Sequence, residues 1–315
     1  MFLPDRAGCA RRRRVPHRTR LTFAIALSIA ALTAVCGPAD AGKVAAKEAA
    51  KAADVDTEHL FGFTEGSDIG QAGERELESD TTFRSGKNSG AFNTTASEVE
   101  FKYTAFENFR ISAAATLAYY DIGGVADMDD RRQGSLQSFS LNARYRVFNR
   151  DSAPFGMTVS FEPHWGFADE TSGVPIRHFG WEGDLLFDRA LVPGVLFGAM
   201  NVHMDTDRSE TTAGGGAEQQ PTLGLFVALA GQALPGVWIG GEARYLRAYQ
   251  GAGLETFTGQ ALYLGPTLYA RLGEKAWLSA AFDVQARGRA VDTPGALDLV
   301  NFERYQANFR LGFDF

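Results

Sequence analysis

The sequence has 315 residues, with 35 Gly, 24 Phe and only 5 His, and a formal net charge of −7 at pH 7. This composition favours a Gly- and aromatic-rich β protein over a helical one, and its acidic balance gives no indication of a nucleic-acid partner. Both cysteines, Cys9 and Cys36, lie near the N-terminus. The rest of the chain therefore has neither a disulfide framework nor a thiolate metal site.

Residues 1–41 have the pattern of a secretory signal peptide. Arginines cluster over residues 11–20, an apolar stretch of fifteen residues runs from Leu21 to Val35, and Ala39-Asp40-Ala41 fits a small-x-small cleavage site. A buried helix and a lipoprotein signal at Cys36 are the alternatives. Cleavage after Ala41 removes seven basic and two acidic side chains, so the exported chain carries a charge of about −12 and no cysteine.

Residues 42–73 precede the first predicted strand. The stretch 42–58 is rich in Ala, Lys and Glu and resembles a semi-rigid helical spacer, whereas 59–78 has glycines at a loose spacing of four. No Lys-Ser/Thr pair follows, so a phosphate loop is not indicated. We expect an N-terminal periplasmic segment that forms a turn-rich entry into the barrel, with a plug or gating segment as the alternative.

From residue 74 onward, apolar and polar residues alternate in twelve segments. Successive side chains of a strand point to opposite faces, so this pattern predicts amphipathic strands. The expected strands are 74–85, 96–105, 109–121, 135–148, 155–166, 177–189, 195–205, 222–232, 236–248, 259–272, 276–287 and 302–315. Short connections follow the even-numbered strands and longer polar connections follow the odd-numbered ones. The sequence thus predicts an all-β, antiparallel up-and-down barrel of about twelve strands with short turns at one end.

Strand length and aromatic placement indicate which medium the apolar face meets. Many segments run eleven residues or more, whereas soluble strands typically have about 5–6 and tilted membrane strands about 9–11. Phe155 and Phe187 lie at the short-turn end of their strands, while Trp165, Phe179 and Trp181 lie at the other end. Two aromatic girdles with aliphatic residues between them are typical of a transmembrane barrel, although ordinary core aromatics are the alternative.

The last strand carries a further signal. Apolar residues occupy every odd position from 305 to 315, namely Tyr305, Ala307, Phe309, Leu311, Phe313 and Phe315. With the export signal and the alternating connections, residues 74–315 resemble bacterial outer-membrane β-barrel proteins of a porin-like or transporter-like group. The segment LFGFTEGSDIG is similar to the mature N-terminus of uncharacterised members of this group. The resemblance implies outer-membrane localisation, lipid as the surrounding partner, and a C-terminal strand read by the barrel-assembly machinery.

The polar faces carry charges of both signs and suggest a wet lumen. A passive channel or transporter for small hydrophilic solutes is the function we expect, with short turns in the periplasm and long loops outside. No organic cofactor is expected. The candidate lumen-lining residues are Arg144, Arg146, Glu162, Glu182, Asp184, Glu242, Arg244, Arg271, Asp283, Arg287 and Arg310. Rings of such charges set ion preference in a pore. Mutual pairing of these charges in a closed, structural or adhesive barrel is the alternative.

Three histidines form a separate candidate site. Parity places His164, His178 and His203 on the polar face at the loop ends of three adjacent strands, with Asp205 nearby. Such a rim could bind a divalent metal ion or hold a base for hydrolysis. No nucleophile spacing accompanies the histidines, so an enzyme is the weaker hypothesis. The oligomeric state and the solute are not encoded in any motif of the chain.

Overall fold

The computed structural model describes residues 55–209, 218–291 and 293–315. The predicted signal peptide and the Ala/Lys/Glu-rich stretch up to residue 54 lie outside these residues. In the described part, twelve antiparallel strands form a closed barrel in which every strand pairs with its neighbours in sequence, and β1 pairs with β12. The strands are Arg75–Ser85 (β1), Ala91–Phe106 (β2), Phe109–Gly123 (β3), Arg131–Phe148 (β4), Gly156–Ala168 (β5), Pro175–Val192 (β6), Leu196–Ser209 (β7), Glu218–Leu234 (β8), Val237–Gln250 (β9), Thr256–Arg271 (β10), Ala276–Ala290 (β11) and Tyr305–Asp314 (β12).

The predicted strand number and up-and-down topology are confirmed. Observed strands extend beyond the predicted bounds mainly at the ends that lead into the longer loops, for example Ala91 rather than residue 96 in β2. Ladder hydrogen bonds continue there although the alternation of apolar and polar residues has ended. No helix in the described residues has the length and hydropathy to cross a bilayer.

The connections separate by barrel end, as their sequences predict. Among the described connections, one end carries 107–108, 149–155, 193–195, 235–236 and 272–275, and the other carries 86–90, 124–130, 169–174, 251–255 and 293–304. The turn 149–155 is as long as 124–130, so length alone does not distinguish the two ends at every hairpin. We call them the short-turn end and the loop end.

The outer face of the barrel is apolar and exposed. On β12, Phe309, Leu311 and Phe313 each expose more than 40% of their surface, whereas Asn308 and Arg310, at the alternate positions, are buried. Aromatic contacts on the outer face occur near both ends, with Phe148 against Phe155 and Trp165 against Phe179. Large contiguous apolar surface on a closed barrel is typical of strands that face lipid.

Closure of the barrel removes free strand edges. β1 and β12 pair from Glu76 opposite Asp314 to Ser85 opposite Tyr305, and the Phe315 amide donates to the Arg75 carbonyl at 2.9 Å. An open edge would leave a row of unpaired backbone groups, which is especially costly in a membrane. The apolar C-terminal residues therefore lie on the outer face at the short-turn end, next to the seam.

Candidate functional site: an occupied lumen and an acidic cavity

Residues 55–73, which we call the lumen segment, run inside the barrel toward its short-turn end and leave it at the exposed residues 71–73. Leu60 and Phe61 are almost completely buried in a cluster with Phe197, Trp238 and Trp277, each of which is the second residue of a strand that begins at that end. The His59 ring stacks on the Trp277 ring with centroids 3.8 Å apart. The segment assigned from sequence to the entry of the barrel therefore occupies its lumen, from Val55 onward.

Side chains of the barrel wall form hydrogen bonds with the backbone amides and carbonyls of this segment. Glu242 accepts hydrogen bonds from the amides of Phe63 and Thr64, at 3.2 and 2.8 Å. Asn201 accepts from the Glu65 amide and donates to the Glu65 carbonyl, both at 2.8 Å. Because irregular backbone in a barrel must find hydrogen-bond partners, these lumen residues fix the backbone conformation of the segment.

Three more polar residues hold the next part of the segment. The Ser67 amide and hydroxyl donate to Asp188 at 3.0 and 2.9 Å, and Thr158 donates to the Ser67 carbonyl at 2.5 Å. Thr104 donates to the Ile69 carbonyl at 2.7 Å. With Glu242 and Asn201, these residues hold the lumen segment from five strands, β2, β5, β6, β7 and β9.

Glu58 is the ionic centre of the lumen segment. Its buried carboxylate pairs with Arg110, with Lys102 at 3.1 Å and with Arg144 at 3.2 Å. Glu65 forms a second centre, 2.7 Å from Arg144 and 2.9 Å from Arg310. Several of the cations that line the lumen are therefore neutralised by the chain's own N-terminal segment.

Glycines allow the segment to approach the wall. Gly62 has a φ of +84°, and a Cβ there would lie 2.6 Å from the Ala281 Cβ. A Cβ at Gly66 would overlap the Thr57 carbonyl. The glycine spacing noted in the sequence thus reflects tight turns and close wall contact, the two situations in which a side chain is not tolerated.

Above the lumen segment lies a cavity of about 880 Å³ that reaches the loop end. Phe63 and Glu65 form part of its floor, and side chains of β2 to β9 form much of its wall. Its lining includes the acidic residues Glu98, Glu162, Glu182, Asp184, Asp205 and Asp207. None of these six has a Lys or Arg ion pair in the described part of the chain, although Asp184 and Asp207 pair with histidines. The cavity wall over β5, β6 and β7 therefore carries excess negative charge.

Most of the sequence-predicted lumen residues face the lumen. Arg144, Glu162, Glu182, Asp184, Arg244 and Arg310 line the cavity. Glu242 and Asp283 are buried below it, and Asp283 pairs with Arg244 at 2.7 Å. Arg146 and Arg271 lie near the short-turn end, directly opposite the inward residues Thr158 and Trp277.

The placement of Arg287 corrects the sequence-based assignment. Arg287 is exposed, and the β10–β11 register shifts between Leu262, which pairs with Arg287, and Tyr263, which pairs with Gln285. Gln285 is buried, and a Cβ at Gly288 would overlap the backbone of Asp298 inside the barrel. A β-bulge adds one residue and reverses the parity beyond it, so Arg287 lies on the outer face.

The three histidines divide into two groups on β5, β6 and β7. His164 Nε2 and His178 Nδ1 each lie 2.8 Å from Asp207 Oδ1. His203 Nδ1 lies 2.8 Å from Asp184 Oδ1, closer to the lumen segment. The sequence reading named Asp205 as the nearby acid and missed Asp207, although Asp207 shares its parity with His203 and Asp205.

The hydrolase alternative gains no support from the neighbouring hydroxyl. Ser160 lies on the same face as His164, but its hydroxyl accepts from the Asn142 side-chain amide at 3.0 Å and contacts none of the histidines that the structure describes. A nucleophile needs a base within hydrogen-bond reach.

The loop 293–304 folds over the loop end of the lumen. Gln285 accepts from the Asp298 amide at 2.6 Å, and buried Lys87 pairs with Glu303 at 2.9 Å. Burial raises the pKa of the Glu303 carboxyl, but Lys87 and Arg84 lower it more, so that its pKa lies below the usual value. The loop is therefore held at neutral pH by a charged pair rather than by apolar packing alone.

The profile of a family of unknown function, DUF6662, matches residues 53–315. The chain belongs to this family. The match starts just before the lumen segment and includes all twelve strands, so segment and barrel form one family unit. A comparison with curated protein sequences gives no match.

Solved structures share the fold of this DUF6662 protein. An outer membrane channel from Pseudomonas putida F1 is 10% identical, with 83% of this chain and 100% of that chain covered and a TM-score of 0.56. The β domain of the Bordetella autotransporter BrkA is 15% identical over 77% and 100% of the chains, with a TM-score of 0.49. At such identities the first likeness shows the fold alone, and the second is too distant to support an argument. The DUF6662 protein is thus an outer-membrane-type β-barrel, and its activity has to be inferred from its own lumen.

Proposed function

We propose that the protein is an outer-membrane channel for small hydrophilic solutes that prefers cations and is closed at rest by its lumen segment. One observation carries the proposal: the acidic cavity ends on a segment of the same chain rather than on packed strand side chains. A segment that precedes β1 can leave the lumen without breaking the barrel. The apolar outer face, the expected export signal and the fold support placement in the outer membrane.

The charges of the cavity support the preference for cations. The lining cations Lys102, Arg144 and Arg310 each pair with two or more carboxylates. Glu98, Glu162 and Glu182 have no such cation in the described residues. Acidic groups in a confined cavity raise the local concentration of cations.

Planar-bilayer recordings test the proposal with two forms of the mature protein. We expect the full chain to show rare or no discrete steps, whereas a variant lacking residues 55–68 shows frequent steps. The deletion also leaves Arg110 and Arg144 without Glu58 and Glu65, so the effect of the cavity carboxylates on the reversal potential in a salt gradient is measured within the deletion variant. Replacement of Glu98, Glu162 and Glu182 by Gln in the deletion variant should shift this potential away from cation selectivity. Glu107→Gln, in an exposed turn, is the matched control.

The alternative is a closed barrel that displays surface loops. The many polar contacts of the lumen segment favour it, since they also suit a permanent filling. If the deletion variant folds into a closed barrel, shown by circular dichroism, and yet conducts no ions, the channel proposal fails and the structural alternative takes its place.

A further inference from the structure

One cluster of ligand-type side chains projects into the cavity without a role in barrel closure or in holding the lumen segment. His164 on β5, His178 on β6 and Asp207 on β7 offer three ligand atoms that all lie within 4.8 Å of one another. All three residues line the cavity, and Asp207 exposes about a quarter of its side chain. An ion that enters from the loop end therefore has access to them.

The strand register aligns the three side chains, and two glycines leave space for them. His164, Gly180 and Asp207 form a row across three strands, and His178 pairs with Gly166. A Cβ at Gly180 would overlap both His164 Nε2 and Asp207 Oδ1, and a Cβ at Gly166 would overlap the His178 ring. The backbone thus leaves room for two imidazoles on one carboxylate oxygen.

Unsatisfied polar atoms lie beside the cluster. The His178 side chain is almost fully buried, and its Nε2 has no hydrogen-bond partner in the described structure; the same holds for the buried Oδ1 of Asp205. Buried polar atoms without a partner cost free energy. Asp205 lies two residues from Asp207 on the same face of β7, which places a second carboxylate about 7 Å along the strand.

We propose that His164, His178 and Asp207 bind a divalent transition-metal ion. Two imidazole nitrogens and one carboxylate oxygen are the protein ligands of open zinc sites, and imidazole favours zinc, copper or nickel over magnesium or calcium. The site has an open side toward the cavity, where water or the acidic wall completes the coordination.

A second group of potential ligands lies deeper in the cavity than the cluster of His164, His178 and Asp207. Glu182, Asp184 and His203 also offer ligand atoms within 4.8 Å of one another, next to the floor of the cavity. Along β7, Asp207, Asp205 and His203 follow at alternate positions. Several weak sites in series are what conduction requires. In a channel, the cluster of His164, His178 and Asp207 is the first site that a cation entering from the loop end meets. This interpretation rests on the proposed channel function, whereas metal binding itself does not.

Zinc titration of the full mature chain in detergent, followed by calorimetry at neutral pH, tests the site. We expect a zinc-binding event that the double variant His164→Gln/His178→Gln weakens by at least about tenfold, since loss of even indirect ligand support costs about 10–100-fold. Gln220→Ala, which truncates the side chain directly opposite Asp207 on β8, is the control and should bind zinc as tightly as the wild type.

A steric variant tests the geometry without removing a ligand. Gly180→Ala places a methyl group between His164 and Asp207 and should weaken zinc binding, whereas Gly134→Ala, where the nearest atom to the added Cβ is 3.7 Å away, should not. Circular dichroism confirms the fold of each variant. Equal zinc affinity of the wild type and the double variant, or no binding by either, would overturn the site. If the protein binds zinc but the deletion variant does not conduct ions, the metal site stands and the channel proposal fails. If the deletion variant conducts ions but the protein does not bind zinc, the channel proposal stands and the metal site fails.

Discussion

At the scale of single residues, buried charge decides where the N-terminal segment lies. Glu58 exposes 2% of its surface and contacts three cations that are themselves buried or nearly so. The histidines, in contrast, were located by parity because they lie in regular strands. Parity fails at Arg287, where one extra residue in β11 turns the side chain outward. Glu58 precedes any strand, so no periodicity in the sequence points to its partners.

Replacing Glu58 by Gln removes the negative charge shared by Arg110, Lys102 and Arg144. Removal of one partner from a buried ionic cluster leaves uncompensated charge, so we expect the free energy that holds the segment in place to fall by about 3–5 kcal/mol. Limited proteolysis of the folded protein should then cleave residues 55–73 faster. Glu107→Gln serves as the control. An unchanged cleavage rate would show that Glu58 does not anchor the segment.

At the scale of elements, β12 closes the barrel and presents its apolar residues outward. Tyr305, Phe309, Leu311, Phe313 and Phe315 are all more than 40% exposed. Phe315 also contacts the rings of Phe101 and Phe313 at the short-turn end. These residues remain our proposed recognition signal for the barrel-assembly machinery.

Deletion of Phe315 should reduce outer-membrane insertion while export continues. The last aromatic ring and the bond from its amide to Arg75 are lost, but the signal peptide is unchanged. Fractionation of cells should show less protein in the outer membrane and more in the periplasm than for a control variant that lacks one residue of the loop 251–255. Equal amounts in the outer membrane would refute the recognition role.

At the scale of the whole molecule, the distribution of polarity is inverted relative to a soluble barrel. Large apolar side chains cover the outside, and the inside contains a polar cavity and ion pairs. The mature protein should therefore require detergent to remain monodisperse. Size-exclusion chromatography before and after detergent removal measures this, and a monodisperse protein without detergent would contradict the membrane assignment.

The sequence by itself determined the strand number, the antiparallel order, the two loop ends and most lumen-facing side chains, because each follows from a local period of two. Only the tertiary structure decided that residues 55–73 occupy the lumen, that Asp207 joins His164 and His178, and that Arg287 faces outward. The first depends on ion pairs between residues more than forty positions apart, such as Glu58 and Arg110. The second depends on register across three strands. The third depends on a bulge, which leaves no periodic trace in the chain.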